Sequence, residues 1–480
     1  MLFDKKEIKK AILLAKEKNV AMVDLKFCGL FGRWHHLTLP VSRLSEKLFE
    51  TGESFDGSSI PGFKTLESGD MSLIPDPSTA WIDPFWEKPT LSFICSIVEV
   101  EKKEPFIRDP RGIAKRAGEY LQGTGIADQS LWGPEFEYYI FDHIAYKTDI
   151  NMSMYVIDSE EADWNSGLHE GANLGNKIPR QGGYHAIPPL DATYNLRAEM
   201  VGRIEEAGIP VRYHHHEVGG PGQSEIEIAL AELSNIGDIT MLVKYIIKMV
   251  ANKHSKSVTF MPKPLFNEAG SGMHVHQHLF KNGKPLFYDK NGYGYLSKEA
   301  YHYIGGLLYH GPAVLAFTNP STNSYKRLVP GFEAPVTAIF GLANRSAAIR
   351  IPKVGNEPKA VRIEFRPPDG TCNIYLALAA MLMAGIDGMK KKMEPDKMGF
   401  GPYDGNVFNL SPQDRAKLKK LPASLKEAMD ALEKDHNFLL EGGVFDKSTI
   451  QTWIDYKIDK EFNAVRNRPH PYEMSLYYDM

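Results

Sequence analysis

Several short segments of this chain carry acidic or imidazole side chains two residues apart inside otherwise apolar runs. In a β-strand, residues i and i+2 project to the same face. Glu135 and Glu137 therefore share a face in GPEFEYYIF, His215 and Glu217 in HHHEV, and Glu225 and Glu227 in QSEIEIAL. His274, His276 and His278 share one in GMHVHQHLF, as do Arg362, Glu364 and Arg366 in VRIEFRP. A single pair of this kind describes a water-facing strand, since antiparallel sheets are commonly wet on one side. Repetition over several strands, with almost no Lys or Thr interleaved, points elsewhere. If these polar faces converge, the carboxylates repel one another unless cations neutralise them. A donor set of carboxylates with an imidazole suits a hard divalent ion, Mg²⁺ or Mn²⁺, over zinc.

Arginine supplies the second signal. Arg327, Arg345, Arg350, Arg362 and Arg366 lie in a stretch whose other residues are largely apolar or turn-forming. The planar guanidinium fork suits phosphate and carboxylate and stays charged in any site. Any one of them alone reads as surface ion pairing. NRSAAIRIP differs, because Arg345 and Arg350 bracket a run of small residues. Arginines facing a metal cluster are what phosphoryl transfer requires, with charge stabilised on the transferring group. Gly57 to Thr65 comes close to a phosphate-binding Walker loop, but Phe63 is an extra residue between the second glycine and Lys64. Nucleotide binding must then rest on metals and arginines. Asn344-Arg345-Ser346 matches a glycosylation acceptor, a match without meaning where no secretory signal is read.

These residues need a scaffold to position them. The chain has 480 residues, 43% apolar and 24% charged, enough for two or three domains or a small domain joined to a large one. A net charge of −4 argues against nucleic-acid and membrane partners, which normally ask for a basic surplus. Cys28, Cys95 and Cys372 are too few and scattered for a disulfide framework or a zinc cluster, so a reducing, cytoplasmic compartment is expected. The lysine-rich start reads as an amphipathic helix presenting Ile8, Ile12, Leu13 and Ala15, not as a signal peptide. Ile374 to Ile386 is too short to cross a bilayer and reads as a buried helix.

Two strands are predicted within Ala21 to Pro40 and one over Thr90 to Val100, with Phe55 to Gly62 (FDGSSIPG) an exposed loop. Further strands are predicted at Gly133–Phe141, Tyr213–Ala229, Gly272–Phe280 and Val361–Arg366. Helices fit Asp191–Ala207, Ile236–His254 and Ile374–Lys391, and Asn151–Gly183 reads as a long loop. A charged segment from Glu101 to Asp109, closed by Pro110, marks the boundary between domains 1–105 and 106–480. The fold class is α+β: a small N-terminal β domain and a larger α+β domain.

Taken together, FDGSS, GPEFE, HHHEV, GSGMHVH, KRLVPGFEAP, NRSAAIRIP and RIEFRPPD, in this order and spacing, resemble bacterial type I glutamine synthetase, and the ending RPHPYEMSLYY is similar to that family's C-terminus. The resemblance covers essentially the whole chain. It implies a β-grasp-like N-terminal domain and a catalytic domain whose curved antiparallel sheet is lined by metal ligands and flanked by helices. It implies ATP-dependent ligation of ammonia to the γ-carboxylate of L-glutamate through γ-glutamyl phosphate, with two divalent ions, Mg²⁺ or Mn²⁺, per site. One ion would be held by Glu137, Glu217 and Glu225, the other by Glu135, His274 and Glu364. Arg327, Arg366 and the Gly270 loop would hold glutamate. Arg345, Arg350 and Arg362 would meet the phosphates, with His276 near the nucleotide. Asp56 would bind ammonium and remove its proton. Glu333, on a flap, would shield the intermediate from water and take a proton from the amine adduct. The resemblance further implies a dodecamer of two stacked six-membered rings, with Asp56 reaching into the adjoining subunit's site.

Two rival readings are a γ-glutamyl ligase for a polyamine or ethanolamine, and a catalytically inert ring. Asp56 and Glu333 argue against the first; against the second, none of the six metal-binding positions is degraded. Three positions depart from the family pattern. Ala269 stands where Asn is frequent, and His278 where a small polar residue is common. Phe408, in NVFNLS, replaces the tyrosine that accepts an adenylyl group in one subgroup, and a phenyl ring has no hydroxyl to modify. Incubation with adenylyltransferase and ATP should leave the protein's mass unchanged; a stoichiometric adduct would contradict this reading.

Overall fold

The computed structural model describes residues 3–65, 69–101, 104–166, 174–331, 334–405 and 407–480. Among these, strands β1 to β7 (Met22–Cys28, Trp34–Pro40, Glu53–Asp56, Asp70–Pro75, Trp81–Asp83, Thr90–Glu99 and Glu104–Pro105) form an N-terminal sheet in the order β2-β1-β6-β4-β3, with β5 and β7 on β6. β1 and β6 run parallel at its centre. Branched and aromatic residues fill both strands, and Val23, Leu25, Leu91 and Phe93 are wholly buried. Lys26 is buried among them because Asp24 (2.5 Å), Asp83 (3.1 Å) and Ser92 (2.6 Å) satisfy its ammonium.

The second part is organised around a larger sheet. Its strands are β8 (Gln129–Phe141), β11 (Val211–His216), β12 (Gln223–Ile228), β13 (Ala231–Glu232), β14 (Ser257–Thr259), β15 (Val275–Lys281), β16 (Lys284–Pro285), β17 (Phe340–Leu342), β18 (Ile349–Ile351) and β19 (Ile363–Phe365). The main order is β11-β12-β8-β15-β19-β18-β17. The helix Ile374–Lys391 is buried along almost its whole length. It packs closely on the helix Lys298–Tyr309, where a Cβ at Gly306 would sit 2.2 Å from the Ala384 carbonyl. The two parts are riveted by Arg111, whose guanidinium bonds Asp76 (2.7 Å) and Ser96 (3.1 Å) on one side and Asp238 (2.8 Å) on the other. Phe31 adds a ring stacked on Tyr456 at 3.7 Å.

Several expectations are corrected. The Asn151–Gly183 segment is not wholly a loop: β9 (His143–Asp149) and β10 (Met152–Asp158) form a hairpin. Tyr213–Ala229 is two strands, because the Gly219-Gly220-Pro221-Gly222 turn folds β12 back on β11. Gly222 sits at φ +80°, where a Cβ would meet the Ile140 carbonyl at 2.3 Å. Phe55 and Asp56 belong to β3, paired with β4. Leu13 is more than half exposed; Ala11 takes its place on the buried face of the first helix, Lys5–Glu17. The helices Leu425–Lys434 and Lys447–Tyr456 carry apolar faces that the sequence reading left unassigned. No helix among the described residues is long and apolar enough to cross a membrane.

His310 links three helices. Its Nε2 lies 2.8 Å from Asp387 and its Nδ1 2.7 Å from Asp435, and its ring stacks on Phe438 at 4.0 Å. Burial opposes its charge, but the bonds to Asp387 and Asp435 raise its pKa above 6.5 overall. A raised folded-state pKa stabilises fully below the unfolded value and is lost as pH rises through the folded one. Thermal melting from pH 6 to 9 should therefore decline more steeply for the parent than for His310→Gln; equal slopes would refute the link.

Candidate active site

The large sheet turns the polar positions of the sequence into rows. β12 lies antiparallel between β11 and β8, so that His215, Glu225 and Glu137 stand opposite one another across three strands. One step along, Tyr213, Glu227 and Glu135 form the next row. On the other side of β8, His276 on β15 faces Glu364 on β19, which faces Arg350 on β18. His274 stands just before β15, and its carbonyl accepts the Glu135 amide at 2.9 Å. Donor atoms come within 4.8 Å of one another in four overlapping groups: Glu135–Glu137–His274, Glu135–His276–Glu364, His215–Glu217–Glu225 and Glu135–Glu225–Glu227.

All six expected ligands thus line one face, with Glu135 shared by three groups. His274 Nδ1 lies 2.9 Å from Glu135, 3.6 Å from Glu364 and 3.8 Å from Glu137. The sequence reading gave no ligand role to His215 or Glu227. The two-residue alternation in the sequence marks both on a shared polar face, but the ligand sets implied by the resemblance do not include them.

Burial and mutual repulsion dominate the electrostatics. Burial, then the charges of Glu135 and Glu137, push Glu225 well above the carboxylate range. Burial and Glu137 push Glu217 up to about 8, with Arg345 opposing. Glu227 is raised by burial and Glu135, with Arg212 opposing. Burial also works against Glu135 and Glu364, yet both are held below the usual range, the first by hydrogen bonds to His274 and His276, the second by Arg366. Glu217 Oε2 is buried without a hydrogen-bond partner. Oxygen donors, an orphaned carboxylate oxygen and crowded like charges fit divalent cations.

The arginines surround the acids. Arg350 and Arg366 both bond Glu364, the latter at 2.5 Å, and each keeps a buried Nε with no partner. Arg362 Nε donates to His276 at 3.2 Å. Arg327 is buried against Gly270, where a Cβ would meet its Cγ at 2.7 Å. One of its nitrogens bonds the Pro367 carbonyl at 2.7 Å; another lies 3.2 Å from His274. Arg345 is exposed and forms no ion pair among the described residues. His278 is buried, its ring tilted against Phe280 at 4.3 Å; burial, then Arg362, push its pKa down to about 4, so it is neutral. Asp56 lies on the other sheet, fully exposed, accepting from Ser58 and Ser59 at 2.7 Å. Glu333 lies outside the described residues.

The family model described as "Glutamine synthetase, catalytic domain" matches residues 107–477, and "Glutamine synthetase, beta-Grasp domain" matches residues 19–100. The chain belongs to the glutamine synthetase family. A glutamine synthetase of Frankia alni is 51% identical, over 97% of this chain and 98% of that protein. One of Mycolicibacterium smegmatis is 49% identical over the same shares. A cryo-EM structure of Plasmodium falciparum glutamine synthetase superimposes with a TM-score of 0.89 at 29% identity, covering 99% of each chain. The fold is that of a glutamine synthetase, a β-grasp domain followed by a catalytic domain with a curled sheet and helices. Glutamine synthetases are ligases that use ATP and divalent metals, and clusters of acidic and imidazole side chains are present on this chain.

Titrating Mn²⁺ or Mg²⁺ into chelator-treated protein should raise the melting midpoint. Each site contributes about 2.7 kcal/mol when the ion stands at roughly 100 times its Kd. Glu225→Ala should remove most of that gain, and a midpoint blind to both ions would refute a metal role.

Proposed function

We propose that the acid-lined face binds two divalent cations, Mg²⁺ or Mn²⁺, beside ATP, L-glutamate and ammonium, and that the chain makes L-glutamine there for nitrogen metabolism. The observation that carries this is Glu364, a buried carboxylate among acids and imidazoles that is also gripped by Arg350 and Arg366. A site built only to hold cations has no use for two guanidiniums at its edge; one that must also hold transferring phosphate does.

Glu137, Glu217 and Glu225 would hold one ion, and Glu135, His274 and Glu364 the other. When bound, the ions neutralise the phosphate oxygens and the acid cluster together. The remaining work falls to the chain. Arg327, Arg366 and the Gly270 loop orient glutamate so that its γ-carboxylate oxygen attacks the terminal phosphorus of ATP, with ADP leaving. Arg345, Arg350 and Arg362 stabilise charge on that phosphoryl group, and His276 lies on the nucleotide side. Ammonia then attacks the acyl carbon of γ-glutamyl phosphate and inorganic phosphate departs. Ammonium must first lose a proton, a task for Asp56. Hydrogen bonds from Ser58 and Ser59 lower its pKa, so it stays ionised and able to pair with ammonium. Glu333 would exclude water and accept the proton of the amine adduct.

Asp56 is exposed on the N-terminal sheet, and among the described residues its side chain bonds only Ser58 and Ser59 of its own turn. The resemblance has Asp56 reach into another copy's site, which its exposure allows, and makes the assembly a dodecamer of two hexameric rings. Apolar side chains exposed on β10 (Met152, Tyr155, Val156) and at the C-terminus (Tyr472, Met474, Tyr478) supply surface for such contacts. Three buried free thiols support a cytoplasmic setting. The division into 1–105 and 106–480 is supported by the gap between the two matched stretches.

With ATP and glutamate fixed, ammonium should be preferred over putrescine and ethanolamine as acceptor, and a clear preference for a larger amine would overturn the assignment. Asp56→Ala should lower kcat/KM for ammonium by about 10²–10⁴-fold, the range of a lost general base. Refolded as a mixture with Glu135→Gln, it should regain activity by pairing an intact Asp56 with an intact acid cluster; no recovery would place Asp56 in its own chain's site.

A further inference from the structure

Beside the acid-lined face, three loops, 178–183, 217–223 and 267–272, meet with almost no free space. A Cβ added to Gly219 would sit 2.1 Å from the Tyr139 hydroxyl, and one on Gly183 2.5 Å from the Glu217 carbonyl. Gln181 and Asn267 both hold left-handed backbone, at φ 56° and 60°; asparagine takes this conformation readily, whereas glutamine adopts it only when its surroundings enforce it. The Gln181 side-chain amide donates to the Asn267 carbonyl at 3.2 Å.

Glu268 lies at the centre of this junction and is 1% exposed. Its Oε2 accepts the backbone amides of Gln181 at 3.2 Å and Ala269 at 3.4 Å, while its Oε1 has no partner. It belongs to none of the acid groups on the sheet face. Burial raises its pKa, and the Gln181, Ala269 and Gly220 amides oppose that rise.

The loop that follows Glu268 carries the groups assigned to glutamate. The Ala269 carbonyl accepts the Tyr139 hydroxyl at 2.6 Å, and the Gly270 carbonyl accepts the Gln223 amide at 3.1 Å. The Gly272 amide donates to Glu137 at 2.7 Å. Upstream, Lys263 Nζ bonds the Glu268 carbonyl. The Lys263 amide donates to Asn323 at 2.7 Å, just before the short helix Ser324–Arg327. Glu268 is thus connected to Gly270 along the loop and, by way of Lys263 and Asn323, to the short helix that carries Arg327. Ala269 has no polar side chain with which to brace the loop itself.

We propose that Glu268 is a positioning residue for the amino-acid subsite, its carboxylate tying the strained Gln181 amide to the 267–272 loop so that Gly270 and Arg327 are held ready for glutamate. The inference rests on the ligase reading above. The role needs an acceptor oxygen, not a charge, so Gln serves where an apolar residue of similar volume does not. The nucleotide side of the sheet, reached through Arg362 and His276, is left alone.

The test compares Glu268→Met and Glu268→Gln with the parent in metal-loaded enzyme, by steady-state kinetics and by amide hydrogen exchange. Glu268→Met should raise KM for glutamate about tenfold or more, with kcat and KM for ATP within about twofold. It should also speed exchange in peptides covering 178–183 and 267–272, but not in Ile374–Lys391. Glu268→Gln should stay within about threefold of the parent. A Met variant that matches the parent, one that weakens ATP equally, or Gln and Met variants equally impaired would each overturn the proposal. A parent that makes no glutamine from ammonium would overturn the ligase reading and this proposal with it; a parent that turns over beside an unaltered Met variant would overturn this proposal alone.

Discussion

Carboxylates that would repel one another in water are held together on one buried sheet face, and the surrounding structure follows from that constraint. Glu135, Glu137, Glu225 and Glu227 come from adjacent strands in register, so their separation is set by strand spacing and cannot relax by side-chain rotation alone. The chain compensates in two ways. His274, His276 and Arg366 hold Glu135 and Glu364 below the usual carboxylate range, whereas burial and the neighbouring carboxylates push Glu217 and Glu225 above it. The face is thus divided into a half whose acids are paired with imidazoles and guanidiniums and a half in which carboxylates crowd one another.

That division explains why the arginines sit where they do. Arg350 and Arg366 approach from β18 and from the end of β19, beside the paired half, and each retains an unused buried N–H. Arg327 turns its fork toward the carbonyls of Arg366, Pro367 and Pro368 and toward His274. It is as much a brace between two loops as a free cation. Glycines at 270 and 272 make the close approach possible, since any side chain there would meet it.

Rigidity beneath the sheet completes the picture. The helix Ile374–Lys391, buried along almost its whole length, packs on Lys298–Tyr309 through glycine contacts, giving the strands a floor that resists the outward push of like charges. The N-terminal sheet is fixed to this body by Arg111 and Phe31, which defines the direction in which Asp56 is presented.

Much of this was legible in the residues themselves. The i, i+2 alternation in GPEFEYYIF, HHHEV and QSEIEIAL marks strands with a polar face, because strand geometry is local and periodic. The long apolar run at Ile374 reads directly as a buried helix, and the motif order identifies the family. Tertiary structure alone decided the rest. Which acids stand opposite which depends on register, and register is set by turns such as Gly219–Gly222 that fold distant segments together. The hairpin β9–β10 departs from the loop reading because its apolar side chains lie exposed on both faces, so they give no alternation between a buried and a wet side. Glu268 and His310 carried no sequence signal, since a lone acid or imidazole in a loop takes its meaning from partners scores of residues away. Local chemistry is written along the chain; long-range pairing exists only once the chain has closed on itself.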